Sequence, residues 1–591
     1  MRLFRSIRPG CRRRASGPEV TGALAWLLLA GSPVGAQTVS TQVLSRETSQ
    51  PVVGALVYLL DDSGAVVRTA LTDERGRVLF LRFPAGSYRV RAEMIGMATG
   101  ESNLLEARVG ATLHEEIRLD ARPIRLEGIA VAVDERCRVR PAEGLLTAQV
   151  WDEARKALAT AVFTDEQRLY RYQTMLYERD LDRNTRVIRR ENQSRREANM
   201  RSPFRSRPAE ELIDRGFVEP SGGVDLYFAP DANVLLSDVF LDSHCFRLRR
   251  GERGETAGLI GLAFEPTSER RRIIDVAGTL WLDPASSELR WLEYRYAGLD
   301  PDIRSDEIGG RVEFQRMPEG GWIVPEWWIR MPRVALQTDG FRGGRRRYVV
   351  GFREAGGMVL DVQGAGRALR HRGTGGIEGV VRDSLGSALE GVRVDIVGAA
   401  QEVVTDSAGW FEISGLVEGI YRVRFVDPRL EAYGYSPEPL TPAVFNGEMT
   451  HVEFDMPSAA SVLTDVCSEV RMVGPEWENL PPQAKGTGIL VGWVRDAVTD
   501  EPLPGAVVRV LSYRYEFRPG GASVIDRGMF GVQTTTDEEG VYRVCRLPER
   551  ELLTVVVVYE GVETEGDTLK IMEIGGAREH TVRVIRDRPE R

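Results

Sequence analysis

The chain of 591 residues is 42% hydrophobic and 28% charged, material for about three to five domains at roughly 100–200 residues each. A formal net charge of −9 argues against general nucleic-acid binding, which calls for a basic domain, and an ordinary apolar fraction with scattered Gly and Pro argues against disorder. Three lysines (Lys156, Lys485, Lys570), five histidines and five cysteines argue against zinc enzymes and histidine-dependent catalysis.

The N-terminus carries Arg2, Arg5, Arg8, Arg12, Arg13 and Arg14, then the apolar run Ala23–Ala30, then Val34-Gly35-Ala36. A charged region, a short apolar run and small residues at the exit are the layout of a secretory signal peptide, expected over 1–36. The apolar run is shorter than the roughly 20 residues that span a bilayer. Cys11 precedes it, so it is no lipoprotein cysteine, and the Arg triplet lacks the rest of a twin-arginine pattern. Removal would leave a chain at about −14. No later segment is apolar for about 18 residues, so no transmembrane segment is expected after signal removal. The expected location is exported: periplasm, outer-membrane associated or extracellular. In an oxidising compartment the four remaining cysteines suggest two disulfides among three connectivities. Cys137 with Cys245, and Cys467 with Cys545, is the expected pairing. No Cys-x-x-Cys spacing supports a redox or zinc-ribbon role.

Three segments share one grammar, which defines expected sandwiches over 37–122, 374–457 and 486–586. The first reads Pro51-Val-Val-Gly54, Thr72-Asp73-Glu-Arg-Gly76 and Gly86-Ser-Tyr88. The second reads Gly379-Val-Val-Arg-Asp383, Thr405-Asp406-Ser-Ala-Gly409 and Gly419-Ile-Tyr421. The third reads Gly492-Trp-Val-Arg-Asp496, Pro502-Leu-Pro-Gly505 and Thr536-Asp537-Glu-Glu-Gly540. In each turn the Asp (Asp73, Asp406, Asp537) can accept bonds from its own backbone, and the Gly (Gly76, Gly409, Gly540) can take the positive φ that closes the turn. Flanking alternation such as Tyr421, Val423 and Phe425 places apolar side chains on one strand face. Calcium binding is disfavoured, because a calcium loop needs oxygen ligands at alternate positions, which Asp-x-x-Gly does not supply.

This grammar resembles the carboxypeptidase regulatory-like domain. The resemblance implies a transthyretin-like, seven-stranded sandwich of the carbohydrate-binding-like fold group. It implies an accessory module that stabilises, spaces or binds, attached to exported peptidases or outer-membrane receptors. It carries over no catalytic residue and no cofactor. The second copy fits best; the first lacks the opening Gly-x-Val-x-Asp, and the third has an insertion between Val510 and Thr536 and no Gly-x-Tyr.

Residues 137–365 do not match the repeat. Leu146, Val150, Ala154, Leu158 and Val162 recur at four-residue spacing, with Trp151 alongside, and predict an amphipathic helix. Strands follow over 169–178, 224–228, 259–264, 273–282, 289–296, 311–314, 322–331 and 348–352. A helix followed by an antiparallel meander is similar in shape to the half-barrel of periplasmic lipoprotein carriers, with no motif behind the likeness. Trp322, Trp327 and Trp328 are candidate ligand-binding residues for an apolar cavity or a sugar ring, against ordinary packing with one indole in the core and the other under the helix. Trp327 and Trp328 cannot share a strand face. The stretch Arg183–Arg207 holds nine Arg. Arg189, Arg190, Arg195 and Arg196 within it are candidate anion-binding residues for lipid phosphates, against a solvated excursion between strands.

The five histidines, His114, His244, His371, His451 and His580, form no zinc motif, and neither a Gly-x-Ser-x-Gly elbow nor a phosphate loop is present. The fold class expected is mainly β: three sandwiches plus a helix-and-meander middle domain. The function expected is a non-enzymatic exported envelope protein, a binding or scaffold module with carbohydrate the first ligand class, and no metal or cofactor. Envelope glycan, lipid or protein are the expected partners. The alternatives are a lipid or apolar-cargo carrier through the middle domain, and a hydrolase whose mark would be a His–Ser pair or two carboxylates in a cleft.

Overall fold

The structure, a computed structural model, describes residues 37–124, 141–465 and 486–585, apart from 185, 199–203, 222–223, 271, 339–344, 365–366, 371–372, 433–434, 459–460, 463–464, 518–524 and 573–576. The expected signal peptide, Cys137, Cys467 and His371 lie outside the described residues. The described chain falls into two compact units. One runs to Glu93 and adds Thr99–Asp120; the other holds Met94–Ala98 and the residues from Ala121 onward. The fold is mainly β.

All three sandwiches follow one wiring, with the opening strand at the centre of a three-stranded sheet. Thr38–Ser45 pairs antiparallel with Arg77–Leu81 and parallel with Thr112–Leu119. Gly375–Arg382 does the same with Trp410–Leu416 and Met449–Asp455, and Gly488–Asp496 with Val541–Leu547 and Ala577–Val584. The second sheet of each copy is centred on Leu56–Asp61, Arg393–Ile396 or Val507–Phe517, each flanked by two antiparallel strands. Alternation builds the cores. In Arg77–Leu81, Val78 and Phe80 point inward while Arg77, Leu79 and Leu81 point out. In the third copy the described part of the insertion extends two paired strands, with pairing unbroken from Val507–Thr535 to Phe517–Ile525.

Between the first two sandwiches in sequence, the helix Pro141–Gln167 precedes a ten-stranded sheet. Its strands run in the order Ile188–Ala198, Arg171–Asp182, Arg345–Gly364, Glu326–Thr338, Gly309–Glu313, Leu289–Ala297, Asp275–Leu282, Ile260–Pro266 and His244–Arg250, with Arg367–Arg370 paired to Arg345–Gly364. The helix is longer than its apolar stripe predicts and is wrapped on two sides. Val150, Ala154, Ala157, Leu158 and Ala161 are buried, and so are Glu153, Lys156, Thr160 and Thr164. Thr160 and Thr164 return their hydroxyl protons to carbonyls one turn back, which satisfies them inside the core.

Two sequence expectations need correction. Within the Arg-rich stretch, 188–198 is not a solvated excursion but an edge strand, because Ile188 and Glu191 turn inward while the arginines between them stay exposed. The strand expected over 224–228 is Val224–Tyr227, in a separate hairpin with Val218–Ser221. Cys245, on His244–Arg250, and the buried Cys545, on Val541–Leu547, are disulfide-bonded. No described helix is long and apolar enough to cross a membrane.

Candidate functional site

The recurring Thr-Asp-x-x-Gly turn is a small machine repeated in all three sandwiches. Asp73 Oδ1 accepts from the amides of Arg75 and Arg77 at 2.9 and 2.8 Å. Asp406 Oδ1 accepts from Ala408 and Trp410 at 2.9 Å each, and Asp537 Oδ1 accepts from Glu539 and Val541 at 3.2 and 2.8 Å. The glycines adopt φ of 68°, 70° and 73°, and a Cβ there would lie 2.5, 2.6 and 2.8 Å from a carbonyl of the opening strand. Both the dihedral and the close approach therefore require Gly. The sequence reading gave the preceding threonine no role, yet it ties the two sheets together. Thr72, Thr405 and Thr536 are buried, and each hydroxyl donates at 2.6 Å to Val52 O, Leu389 O or Leu503 O. Each also accepts an amide of the next strand's lead-in, Ala55, Val392 or Ala506, at 2.8–3.0 Å.

The second sandwich sits over a buried row of charges on the middle sheet. Register places Glu191, Arg179, Glu354 and Arg330 side by side on four adjacent strands. Directly opposed residues share one face, so alternating signs meet neighbour to neighbour. Arg179 Nε and Nη2 donate to Glu354 Oε1 at 2.9 and 2.6 Å. Arg330 Nε and Nη2 donate to Glu354 Oε2 at 2.8 and 2.7 Å. Arg330 Nη1 continues the row to Glu307 Oε2 at 2.8 Å, whose other oxygen pairs with Arg186. Burial pushes the Glu354 carboxyl up, but the two guanidinium groups outweigh it and hold it below the ordinary range. At Glu191 burial wins over Arg179, which is 3.9 Å away, and the carboxyl is pushed up.

The sandwich closes over this row. Arg179 Nη1 donates to Glu418 O at 2.7 Å, the Glu191 amide donates to Gly398 O at 2.9 Å, and Val187 bridges to Ile420. The Tyr421 hydroxyl lies 3.1 Å from both Glu191 oxygens. Met175, Tyr177 and Met358 pack with Val417 beside it, flanked by Trp328. A Cβ on Gly398 would lie 2.0 Å from Arg189 O, and one on Gly419 would lie 2.7 Å from the Ile188 side chain. These two glycines let the edge strand approach. The seat is therefore apolar around Val417 and polar where the sheet's charge row meets the carbonyls and the phenol of the sandwich.

The structure disperses the residues nominated from sequence. Trp322 is 2% and Trp327 7% exposed, so neither indole presents a face for a sugar to stack on. Trp327 lies over Gly357 with Phe204 nearby. Trp328 is on the opposite face, under the second sandwich and not under the helix, with the Arg330 guanidinium 4.8 Å from its ring. Arg190 and Arg196 share one face of the edge strand by register, while Arg195 points the other way, toward Gly415. Arg189, at a bulge, pairs with Asp182 at 3.2 Å. The four arginines do not converge on one point.

A His–Ser pair exists at Ser243–His244, with Ser243 Oγ and His244 Nδ1 3.0 Å apart and Asp275 Oδ1 3.4 Å from Nε2. It is enclosed and not in a cleft: the His244 and Asp275 side chains have no exposed surface. The two ring nitrogens also face Phe240 O and Val276 O at 3.0 and 3.2 Å. Ser243 Oγ donates to Phe240 O at 3.0 Å, and Arg270 pairs with Asp275. Burial raises the Asp275 carboxyl, and His244 and Arg270 more than offset it, leaving it below the ordinary range. The group fastens helix Asp238–Ser243 to strand Asp275–Leu282. Among the described residues no group of three His, Cys, Asp or Glu could hold a metal ion.

Residues 38–120 and 376–456 match the carboxypeptidase regulatory-like domain. Two of the sandwiches are carboxypeptidase regulatory-like domains. Residues 486–586 lie outside the matched segments, but their sheets repeat the wiring of these domains. In both matched domains a tyrosine hydroxyl donates to the carbonyl four residues back: Tyr88 to Pro84 O at 2.8 Å and Tyr421 to Val417 O at 2.7 Å. In the second regulatory-like domain this tyrosine also meets the middle sheet, with its hydroxyl 3.1 Å from both Glu191 oxygens. No curated protein matches the chain. Among solved structures the chain is similar to the Bacillus anthracis TIE protein, at 14% identity over 62% of this chain and 63% of that one, TM-score 0.15. It is also similar to a streptococcal ancillary pilin, at 14% identity over 46% and 81%, TM-score 0.16. A third is BcpA, the major pilin subunit of Bacillus cereus, at 10% identity over 93% and 99%, TM-score 0.13. The chain thus spans 63% of the TIE protein's length.

Proposed function

We propose that the chain is a non-enzymatic scaffold of the cell envelope, exported by its N-terminal segment, in which a regulatory-like domain braces the middle domain. The observation that supports this reading most is the seat, where the second sandwich covers the sheet's buried charge row, accepts hydrogen bonds from Arg179 and the Glu191 amide on its backbone carbonyls and closes an apolar cluster. A freely tethered module would be joined by a polar, loosely packed contact, the default between domains of one chain. The tryptophans that suggested a ligand are taken up in packing, and the serine and histidine that could suggest a hydrolase are taken up in fastening. A glycan, lipid or protein of the envelope is the partner class, engaged through outer surfaces and not through Trp322 or Trp327.

Limited proteolysis of the full chain tests the brace. The expected result is one resistant fragment that holds the middle sheet and the second sandwich together. Early cleavage that releases the second sandwich while the sheet survives would contradict it. A glycan array probed with the full chain tests the carbohydrate version of the partner, which a blank array would remove. N-terminal sequencing of the cell-derived protein tests export, with Gln37 the expected first residue.

A further inference from the structure

We propose that Glu191 is protonated when the second sandwich is seated, and that this carboxyl proton latches the sandwich to the middle sheet. The hydrogen bonds around Tyr421 lead to this by a count of protons. A phenol has one proton to donate. Val417 O is the nearer acceptor, 2.7 Å from the Tyr421 oxygen against 3.1 Å for either Glu191 oxygen, and takes that proton. The same bond runs from Tyr88 to Pro84 O in the first sandwich, so it belongs to the module and not to the seat. Only lone pairs of the Tyr421 oxygen then face Glu191, whose two oxygens both lie 3.1 Å away. An ionised carboxylate also only accepts, and two acceptors at that distance in a buried place repel. A proton on Glu191 turns the contact into a chain, from Glu191 to the Tyr421 oxygen and from the Tyr421 hydroxyl to Val417 O.

The other groups around Glu191 leave room for that proton. On its own strand, Gln193 Nε2 donates to Oε1 at 2.5 Å, so Oε2 is free to carry the hydrogen. From the sheet, Arg179 Nη1 is 3.9 Å from Oε2, too far for a hydrogen bond, and bonds Glu418 O at 2.7 Å, while Nε and Nη2 bond Glu354. Glu354 and Tyr177 stand beyond Arg179, and from the sandwich the Tyr421 hydroxyl reaches the carboxyl and Gly398 O takes the amide. Burial raises the carboxyl in the same direction. For a carboxyl raised on folding, the stability gained is full below the ordinary value of 4.5 and is lost as pH rises through the raised value. The latch therefore opens on the alkaline side. The inference stands on the geometry of the seat, whether or not the chain serves as a scaffold.

Infrared difference spectroscopy on the full-length protein tests it. The wild-type minus Glu191→Gln spectrum at neutral pH should contain the carbonyl stretch of a protonated carboxyl. In Tyr421→Phe that band should move to higher frequency, because the carboxyl O–H loses its acceptor. A difference spectrum with only ionised-carboxylate bands overturns the proposal, and so does a band that Tyr421→Phe leaves in place. If either variant fails to fold, a protonated-carboxyl band that titrates well above 4.5 and persists in Glu153→Gln, whose own carboxyl burial also raises, supports the latch, and no such band in the wild-type chain above 4.5 overturns it.

Discussion

Replacing Glu354 with Gln removes the central negative charge of the buried row and leaves Arg179 and Arg330 facing one neutral amide. The two guanidinium groups bond Glu354 from opposite sides at 2.6–2.9 Å, and their side chains are 11% and 13% exposed. Gln keeps the shape, yet its amide nitrogen can only donate toward an arginine that also only donates. Removing one partner of a buried ion pair costs about 3–5 kcal/mol, whereas exposed pairs are worth about 0–1 kcal/mol. For a domain of this size about 1 kcal/mol lowers the melting midpoint by about 2–4 °C, so a fall of about 6–20 °C is expected for the transition of the middle domain. Differential scanning calorimetry reads it, with Glu101→Gln as the control, since the Arg91–Glu101 pair is about 40% exposed on both sides and should barely move its own transition. Equal small shifts for Glu354→Gln and the control would refute the reasoning, because the row would then be solvated. The pH dependence has its own sign. A carboxyl held below the ordinary value of 4.5 contributes stability that is present above 4.5 and is lost as pH falls through its lowered value. Wild type should therefore lose the middle-domain transition in acid, and Glu354→Gln should flatten that loss.

The remaining expectations concern the turns, the core and the cysteines. Gly409→Ala combines a left-handed backbone with a Cβ 2.6 Å from Val381 O, whereas Gly391→Ala has a similar φ and open space around it. The first should destabilise the second sandwich by clearly more than the about 1–2 kcal/mol of backbone strain expected of the second, measured by denaturant unfolding. Thr405→Val strands Val392 N–H and Leu389 O and should cost about 1–3 kcal/mol, with Thr405→Ser recovering most of it. Trp327→Ala should cost about 3–5 kcal/mol in stability, the signature of a core side chain. Non-reducing peptide mapping should link the Cys245 peptide to Cys137 and the Cys545 peptide to Cys467, and a crossed pattern would refute that pairing.

What the sequence made legible follows from distance along the chain. Thr-Asp-x-x-Gly closes on itself within five residues, so its spacing alone predicts the turn, and the three copies reveal the sandwiches. The threonine's task was hidden because its partners, Val52, Leu389 and Leu503, lie 16–33 residues away. The charge row was hidden more deeply. Arg179 and Glu354 are 175 residues apart and meet only through the register of two long strands. Arg183–Arg207 was misleading because composition averages over alternating faces. The arginines advertise solvent, while Ile188 and Glu191 among them carry the strand's inward side. Likewise Trp327 and Trp328 are neighbours in sequence but serve two different layers, one the core and one the seat.

The central claim is that the second sandwich and the middle sheet are one braced body, and the amide of Glu191 reports on it directly. That N–H donates across the seat to Gly398 O at 2.9 Å, so it can exchange with solvent only when the seat opens. Hydrogen exchange on the full-length protein should find it as strongly protected as the ladder amides of Arg171–Asp182. Exchange at a nearly unprotected rate, with those ladder amides still protected, would mean that the sandwich swings free and would contradict the account.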